Sequence, residues 1–95
     1  ELVGRKVCTA GILSATRKTT TRSGDPMQFL TLEDARGLFE VTLFPGSFRA
    51  NARHIEGLGP YVVTGTVEDQ HGAITLNAAS VRPMERPGSD SRKQA

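Results

Sequence analysis

Three cations and one aromatic ring carry the residue types and spacing that could do chemistry here. Arg17, Lys18 and Arg22 lie in the stretch from Thr16 to Pro26, which has no aliphatic or aromatic residue and no acid before Asp25. Phe29 follows in the alternating run from Met27 to Asp34. Cations on an exposed segment next to an outward-facing ring suit a polyanion that also carries flat rings, because charge and stacking act together. Strand parity supports that placement. Leu30 and Leu32 point one way, Phe29 and Thr31 the other. In the next run Phe39, Val41 and Leu43 share one face, and Leu38, Glu40 and Thr42 share its opposite. Glu40 on that outer face repels phosphate, but it can accept hydrogen bonds from a base edge or pair with a nearby arginine.

Other chemistries lack the residues they need. Glu33 and Asp34 are neighbours on a strand and face opposite ways, so they cannot act together as acid and base. Asp34 is better read as the cap of a hairpin turn over Asp34-Ala35-Arg36-Gly37. His54 and His71 have no ligand spacing and no cysteine partner, which gives no metal site. Cys8 is a lone cysteine and reads as a small buried residue in a reducing compartment. Gly57-Leu58-Gly59 lacks the strand-to-helix setting of a nucleotide loop and reads as a helix stop. No serine, histidine and aspartate arrangement suggests a nucleophile. The expectation is a binding module with no enzyme activity, no cofactor and no small-molecule substrate.

The elements that must position the ring and the cations follow from the same alternation. Lys6 to Ala15 reads as a long strand bent at Gly11, so that one strand can serve two parts of a curled sheet. Thr16 to Pro26 reads as an exposed, mobile loop with a turn at Ser23-Gly24-Asp25-Pro26. Strands two and three flank the Asp34–Gly37 turn. Ser47 is the expected N-cap of a short helix whose stripe is Phe48, Ala52 and Ile55, with Arg49 and Arg53 beside it. Tyr61–Glu68 and Ala73–Val81 complete the strands, with Gly65 where another backbone passes closely. The predicted core is Val7, Leu13, Leu30, Leu32, Phe39, Val41, Leu43, Val63, Val67, Ile74 and Leu76, plugged by Phe48 and Ile55; the burial of Tyr61, beside Pro60, is left open.

Strand, strand, strand, helix, strand, strand is the order of an all-β OB-fold, a five-stranded Greek-key barrel with its short helix between strands three and four. Such barrels bind on the outer face of strands two and three, flanked by the loops joining strands one to two and four to five. The predicted nucleic-acid-binding residues are therefore Arg17, Lys18, Arg22, Phe29, Thr31, Glu40 and Thr42. Residues 1–82 are assigned to the barrel, and 83–95, rich in proline, serine and charge, to a disordered tail or linker. The 95 residues suit one small domain, and a start at Glu1 suggests a piece of a longer protein. The net charge is only +2, so local clustering matters more than the total. No apolar stretch reaches membrane-spanning length. A soluble, cytoplasmic domain is expected.

From Val7 to Val81 the sequence resembles the OB-fold domain near the C-terminus of bacterial DNA polymerase III alpha subunits. The resemblance rests on A-G-x-L at Ala10, T-x-S-G-D-P-M at Thr21, F-L-T-L-E-D at Phe29, G-L-F-E-V-T-L-F-P at Gly37, V-x-G-x-V at Val63 and T-L-x-A at Thr75. It implies a module that contacts the single-stranded template, with the nucleotidyl transfer carboxylates in other domains of a DNA-directed DNA polymerase. The same OB class includes the anticodon-binding domain of class II aminoacyl-tRNA synthetases. That likeness implies that Phe29 stacks on a base and Glu40 lies near it, with RNA as an alternative ligand. Glu33 and Glu40 stand where those synthetases usually have Arg and Gln, which weakens the RNA reading. A rival from another class is a docking module that holds parent domains or replication partners together through an apolar outer patch of Met27, Phe29 and Leu38.

Overall fold

The alternating runs close into a barrel because the first strand has two different neighbours. The computed structural model describes residues 3–84. Its elements are β1 (Lys6–Thr20), β2 (Pro26–Asp34), β3 (Gly37–Leu43), α1 (Pro45–Asn51) with a 3-10 turn (Ala52–His54), β4 (Tyr61–Gln70) and β5 (Ala73–Pro83). The strands form a closed barrel in the order β1-β2-β3-β5-β4. Lys6 to Gly11 of β1 pair with β4, and Ile12 to Thr20 pair with β2. All contacts are antiparallel except β3 with β5, which run parallel from Glu40–Thr75 to Thr42–Asn77.

Glycine makes the tight crossings. A Cβ on Gly11 would lie 2.9 Å from the Glu33 carbonyl oxygen, and one on Gly65 would collide with the Asn77 carbonyl. The two hairpin turns use local chemistry. Asp34 Oδ1 accepts the Arg36 backbone N–H at 2.8 Å, capping the β2–β3 reversal as expected. At the other hairpin His71 (φ 57°) and Gly72 (φ 88°) supply the paired positive angles of a two-residue turn that follows the strand twist.

Leu30, Leu32, Val41, Leu43, Val63, Val67 and Leu76 form the core as predicted, joined by Tyr61, Ala78 and Val81; Val7, Leu13, Phe39, Phe48 and Ile55 pack against it half-buried. Tyr61 is fully buried, and its single hydroxyl proton is shared between the carbonyl oxygens of Glu56 (2.6 Å) and Gly57 (2.8 Å). Asn51 ties α1 to β5. Its Nδ2 donates to Ser47 and Ala79 carbonyls, and its Oδ1 accepts the Val81 N–H at 3.2 Å.

Five expectations are corrected. The segment read as a mobile loop is mostly strand: β1 continues to Thr20, and the reversal is confined to Thr21–Asp25, closed by Thr21 N–H to Asp25 O and Gly24 N–H to Thr21 O. Ile74 is 58% exposed, because it pairs with Asp69 at the rim of the barrel, beyond the rungs that β3 covers. Cys8 is exposed. Ser47 does not cap α1; the helix starts with Pro45 at its first turn, whose missing N–H needs no partner, and the Ser47 hydroxyl donates instead to the Ala78 carbonyl. The barrel also continues past residue 82, through Pro83 in β5 to Met84, whose N–H bonds the Pro60 carbonyl. The rest of the predicted tail, 85–95, lies outside the described residues.

Two measurements test this packing. Gly65→Ala forces a methyl into the β5 backbone and is expected to cost roughly 1–3 kcal/mol, the usual cost of overpacking, in urea melts. Burial raises the Tyr61 pKa above its ordinary 10.0, and donation of the hydroxyl proton to the Glu56 and Gly57 carbonyls favours the same neutral form. The folded state thus holds this proton more tightly than the unfolded chain. Stability from Tyr61 is complete below about pH 10 and falls as pH rises past it. Tyr61→Phe should lose about 0.5–1.5 kcal/mol near neutral pH, and its melts should lack that alkaline decline; parallel declines in both proteins would contradict the assignment.

Candidate nucleic-acid interface

Residues directly opposite one another across a sheet point to the same side, so the register maps the outer face. One row runs Arg17, Phe29, Thr42, Asn77, Thr66 across β1, β2, β3, β5 and β4. The next runs Ala15, Thr31, Glu40, Thr75, Glu68. Parity thus brings Arg17, Phe29, Thr31 and Glu40 onto one surface. Phe29 and Thr31 are half-buried; Arg17 and Glu40 are exposed.

The Arg17 guanidinium carbon lies 4.5 Å from the centroid of the Phe29 ring. The ring is therefore already covered by a cation, an arrangement worth about 0.5–1 kcal/mol at an exposed site. Lys18 pairs with Gln28, one residue out of phase, and so faces the opposite side of the β1–β2 ribbon. On that side the Gln28 amide donates to the Thr16 hydroxyl at 2.7 Å. Arg22 sits exposed in the turn after β1. The three cations read as one loop cluster are thereby separated into an outer-face residue, an inner-face residue and a turn residue.

Thr42 has the outer-face parity but not the exposure. It is only 1% exposed between Phe29 and Asn77, and its hydroxyl has no partner. Its predicted contact with a ligand is corrected on that ground. Thr75, beside Glu40, is likewise buried with an unpartnered hydroxyl. Glu68 is engaged by Asn77 Nδ2 at 2.8 Å and Gln70 Nε2 at 3.4 Å, whereas Glu40 makes no side-chain hydrogen bond within these rows. The surface has a cationic edge at Arg17 and an acidic edge at Glu40 and Glu68. A chain of phosphates fits the first and is repelled by the second.

Below the acidic edge, at the end of the barrel away from α1, a cleft of about 390 Å³ opens among Val7, Leu38, Phe39, Ile74 and Leu76. Leu38 is 64% exposed at its margin. Met27, expected in an apolar outer patch, is buried, and Phe29 lies beneath Arg17. Alternation alone places Leu38 outside, but Ile74 reads as core, so the cleft is not visible without the register. Among the described residues no group of His, Cys, Asp or Glu could hold a metal ion, and no helix is long and apolar enough to cross a membrane.

A closed five-stranded barrel with parallel β3 and β5, and a helix between β3 and β4, defines an OB fold. The sequence matches the profile of the OB-fold nucleic acid binding domain over residues 7–84, and the chain belongs to that family. It is 33% identical over 78 residues to the DNA polymerase III subunit alpha of Pseudomonas fluorescens and, equally, of Pseudomonas aeruginosa. Those matches take in 80% of this chain but only 7% of each relative's length. Asparaginyl-tRNA synthetase from Pyrococcus horikoshii, complexed with asparaginyl-adenylate, superposes over 99% of this chain and 23% of its own, with a TM-score of 0.67 at 18% identity. The second OB-fold domain of replication protein A from Methanococcus maripaludis superposes over 90% of this chain and 87% of its own, with a TM-score of 0.54 at 14% identity. At those identities the structures show a shared fold alone.

Proposed function

We propose that this chain is the single-stranded-DNA-binding module of a cytoplasmic replicative polymerase alpha subunit, holding template while nucleotide transfer takes place in other domains. The observation that carries the reading is the Arg17–Phe29 stack on the outer face of β2. A base arriving at this face competes with the guanidinium for the ring. The exchange favours the base: an exposed cation–π contact is worth about 0.5–1 kcal/mol, while a base stacked on an aromatic contributes about 1–3 kcal/mol. The displaced guanidinium is then free to pair with the adjoining phosphate, so neither interaction is wasted. Arg22 follows the backbone from the turn, Thr31 borders the stacking position, and Glu40 turns phosphates away while offering an acceptor to a base edge. Duplex DNA cannot place a base on the ring without unstacking it.

Oligo-dT should therefore bind more tightly than duplex of equal length in an anisotropy titration, with an oligo-rU arm measuring any RNA binding. Phe29→Ala should weaken the complex by about 1–3 kcal/mol without loss of the melting transition. Arg17→Ser should flatten the dependence of log affinity on log salt by about 0.7, whereas Lys18→Ser, on the other side of the ribbon, should leave it unchanged. Equal or tighter binding to duplex would reject the reading.

The cleft at Leu38 and Ile74 favours a second role, docking of another segment of the longer polymerase chain, since this domain spans so little of its relatives. Leu38→Ser with Ile74→Ser, placed in a full-length alpha subunit, should increase protease nicking around the domain and leave oligo-dT affinity of the isolated chain intact. Unchanged nicking would remove the docking role.

A further inference from the structure

A second group of cations gathers on the side of the barrel where α1 packs. Arg53 and His54, from the 3-10 turn, line a polar recess with Arg82 and Pro83 at the end of β5. The Arg53 Nη1 donates to the Ala50 carbonyl at 3.3 Å, which ties the guanidinium to the end of α1 and uses one of its five donors. His54 Nδ1 lies 3.1 Å from the Val81 carbonyl oxygen. A carbonyl only accepts, so Nδ1 carries the proton and Nε2 is left as the ring's free nitrogen. Cations at a helix end are ordinarily explained by the carbonyls they face. That accounts for Arg53 but not for Arg82, which reaches the recess from a different element.

The register connects this recess to the outer face. Arg82 pairs with Val62 and Ser80 with Thr64, while Val81 and Val63 between them are fully buried, so Ser80 and Arg82 point outward, as Asn77 does. Asn77 lies in the row of Arg17 and Phe29. From Asn77 to Arg82 is five residues of β5, about 15 Å. That separation is a few nucleotides of single strand, within the OB-fold site sizes of about 4–16 nucleotides.

Resting on the single-strand reading above, we infer that the recess between Arg53 and Arg82 is a second phosphate-binding site. It receives the backbone of a strand that leaves the Phe29 position and runs along the outside of β5. Guanidiniums supplied by two elements can grip a phosphodiester from two directions. The Phe29 position holds a base and the recess holds only backbone, so the recess adds length and affinity without sequence preference.

The test pairs Arg53→Ser/Arg82→Ser with Phe29→Ala, using the dinucleotide dTpdT, too short to reach from Phe29 to the recess, and an oligo-dT of about 12 nucleotides, within the OB-fold range. For the long oligonucleotide the double variant should lose several-fold in affinity and flatten the salt slope by roughly 1.4, two contacts' worth for a single strand. The short one should bind as before, while Phe29→Ala weakens both. An unchanged slope for the long oligonucleotide overturns the track. A parallel titration with millimolar inorganic phosphate, read at the Arg53 and Arg82 Nε–H signals, keeps the two readings separate. If wild type binds neither oligonucleotide, the single-strand reading fails; saturable phosphate shifts that vanish in the double variant then still support the anion site, and their absence overturns it. Phosphate binding with no effect on the long oligonucleotide assigns the recess to another anionic partner and overturns the track.

Discussion

The whole barrel depends on β1 changing partners at Gly11. Up to that residue the strand is hydrogen-bonded to β4, and immediately after it to β2. The change brings the Glu33 carbonyl so close that a Cβ at Gly11 would sit 2.9 Å from it. Without the close approach β1 could serve one neighbour only, and the sheet would stay open. Gly65 allows a similarly close approach to the Asn77 carbonyl where the antiparallel β4–β5 ladder shifts register. Closure then fixes the register of β2 and β3, and that register is what sets Arg17 over Phe29 and places Thr31 beside Glu40.

The same constraint sorts residues that look alike in the sequence. Arg17 and Lys18 are adjacent cations, yet strand geometry sends them to opposite faces. Thr31 and Thr42 both have outward parity, but Thr42 is enclosed between larger side chains in its row and Thr31 is not. A basic cluster counted along the chain is therefore a poor measure of a basic surface. What matters is which rung each cation occupies.

Much of the fold is legible in the sequence because alternation survives wherever one face is buried. Leu30, Leu32, Val41 and Leu43 announce their strands, and Asp34 with Gly37 announces the turn between them. Thr16–Thr20 is not legible, since neither face there covers a core; its threonines are nevertheless good strand residues, and the pairing with Pro26–Leu30 decides the outcome. Ile74 has core parity but sits at the rim, which only the offset of the parallel β3–β5 pair reveals. The partners of the Tyr61 hydroxyl, the Glu56 and Gly57 carbonyls, come from the connecting segment and have no sequence signature. Asn51 could have been noticed as a polar residue within the helix stripe, three after Phe48. Of the candidate interface, Phe29 and Arg17 are recoverable from parity and charge, while the placement of Arg82 beside the 3-10 turn requires knowing where β5 ends.

Among the described residues the other side of β1 has no strand beside it beyond Gly11, and the Leu13 N–H to Leu58 carbonyl bond is the only backbone hydrogen bond that touches it. A bare edge of this length is a template on which another molecule of the same chain could add a strand. Here the bulge between Leu13 and Ala15 bends the edge, and Arg17 and Lys18 place a positive charge on each of its two faces. Two such edges brought together would set like charges against each other. Arg17, the cation proposed above to meet a polyanion, is thus also one of the charges that oppose edge-to-edge pairing, and a polyanion that neutralised it would weaken that opposition while it was bound.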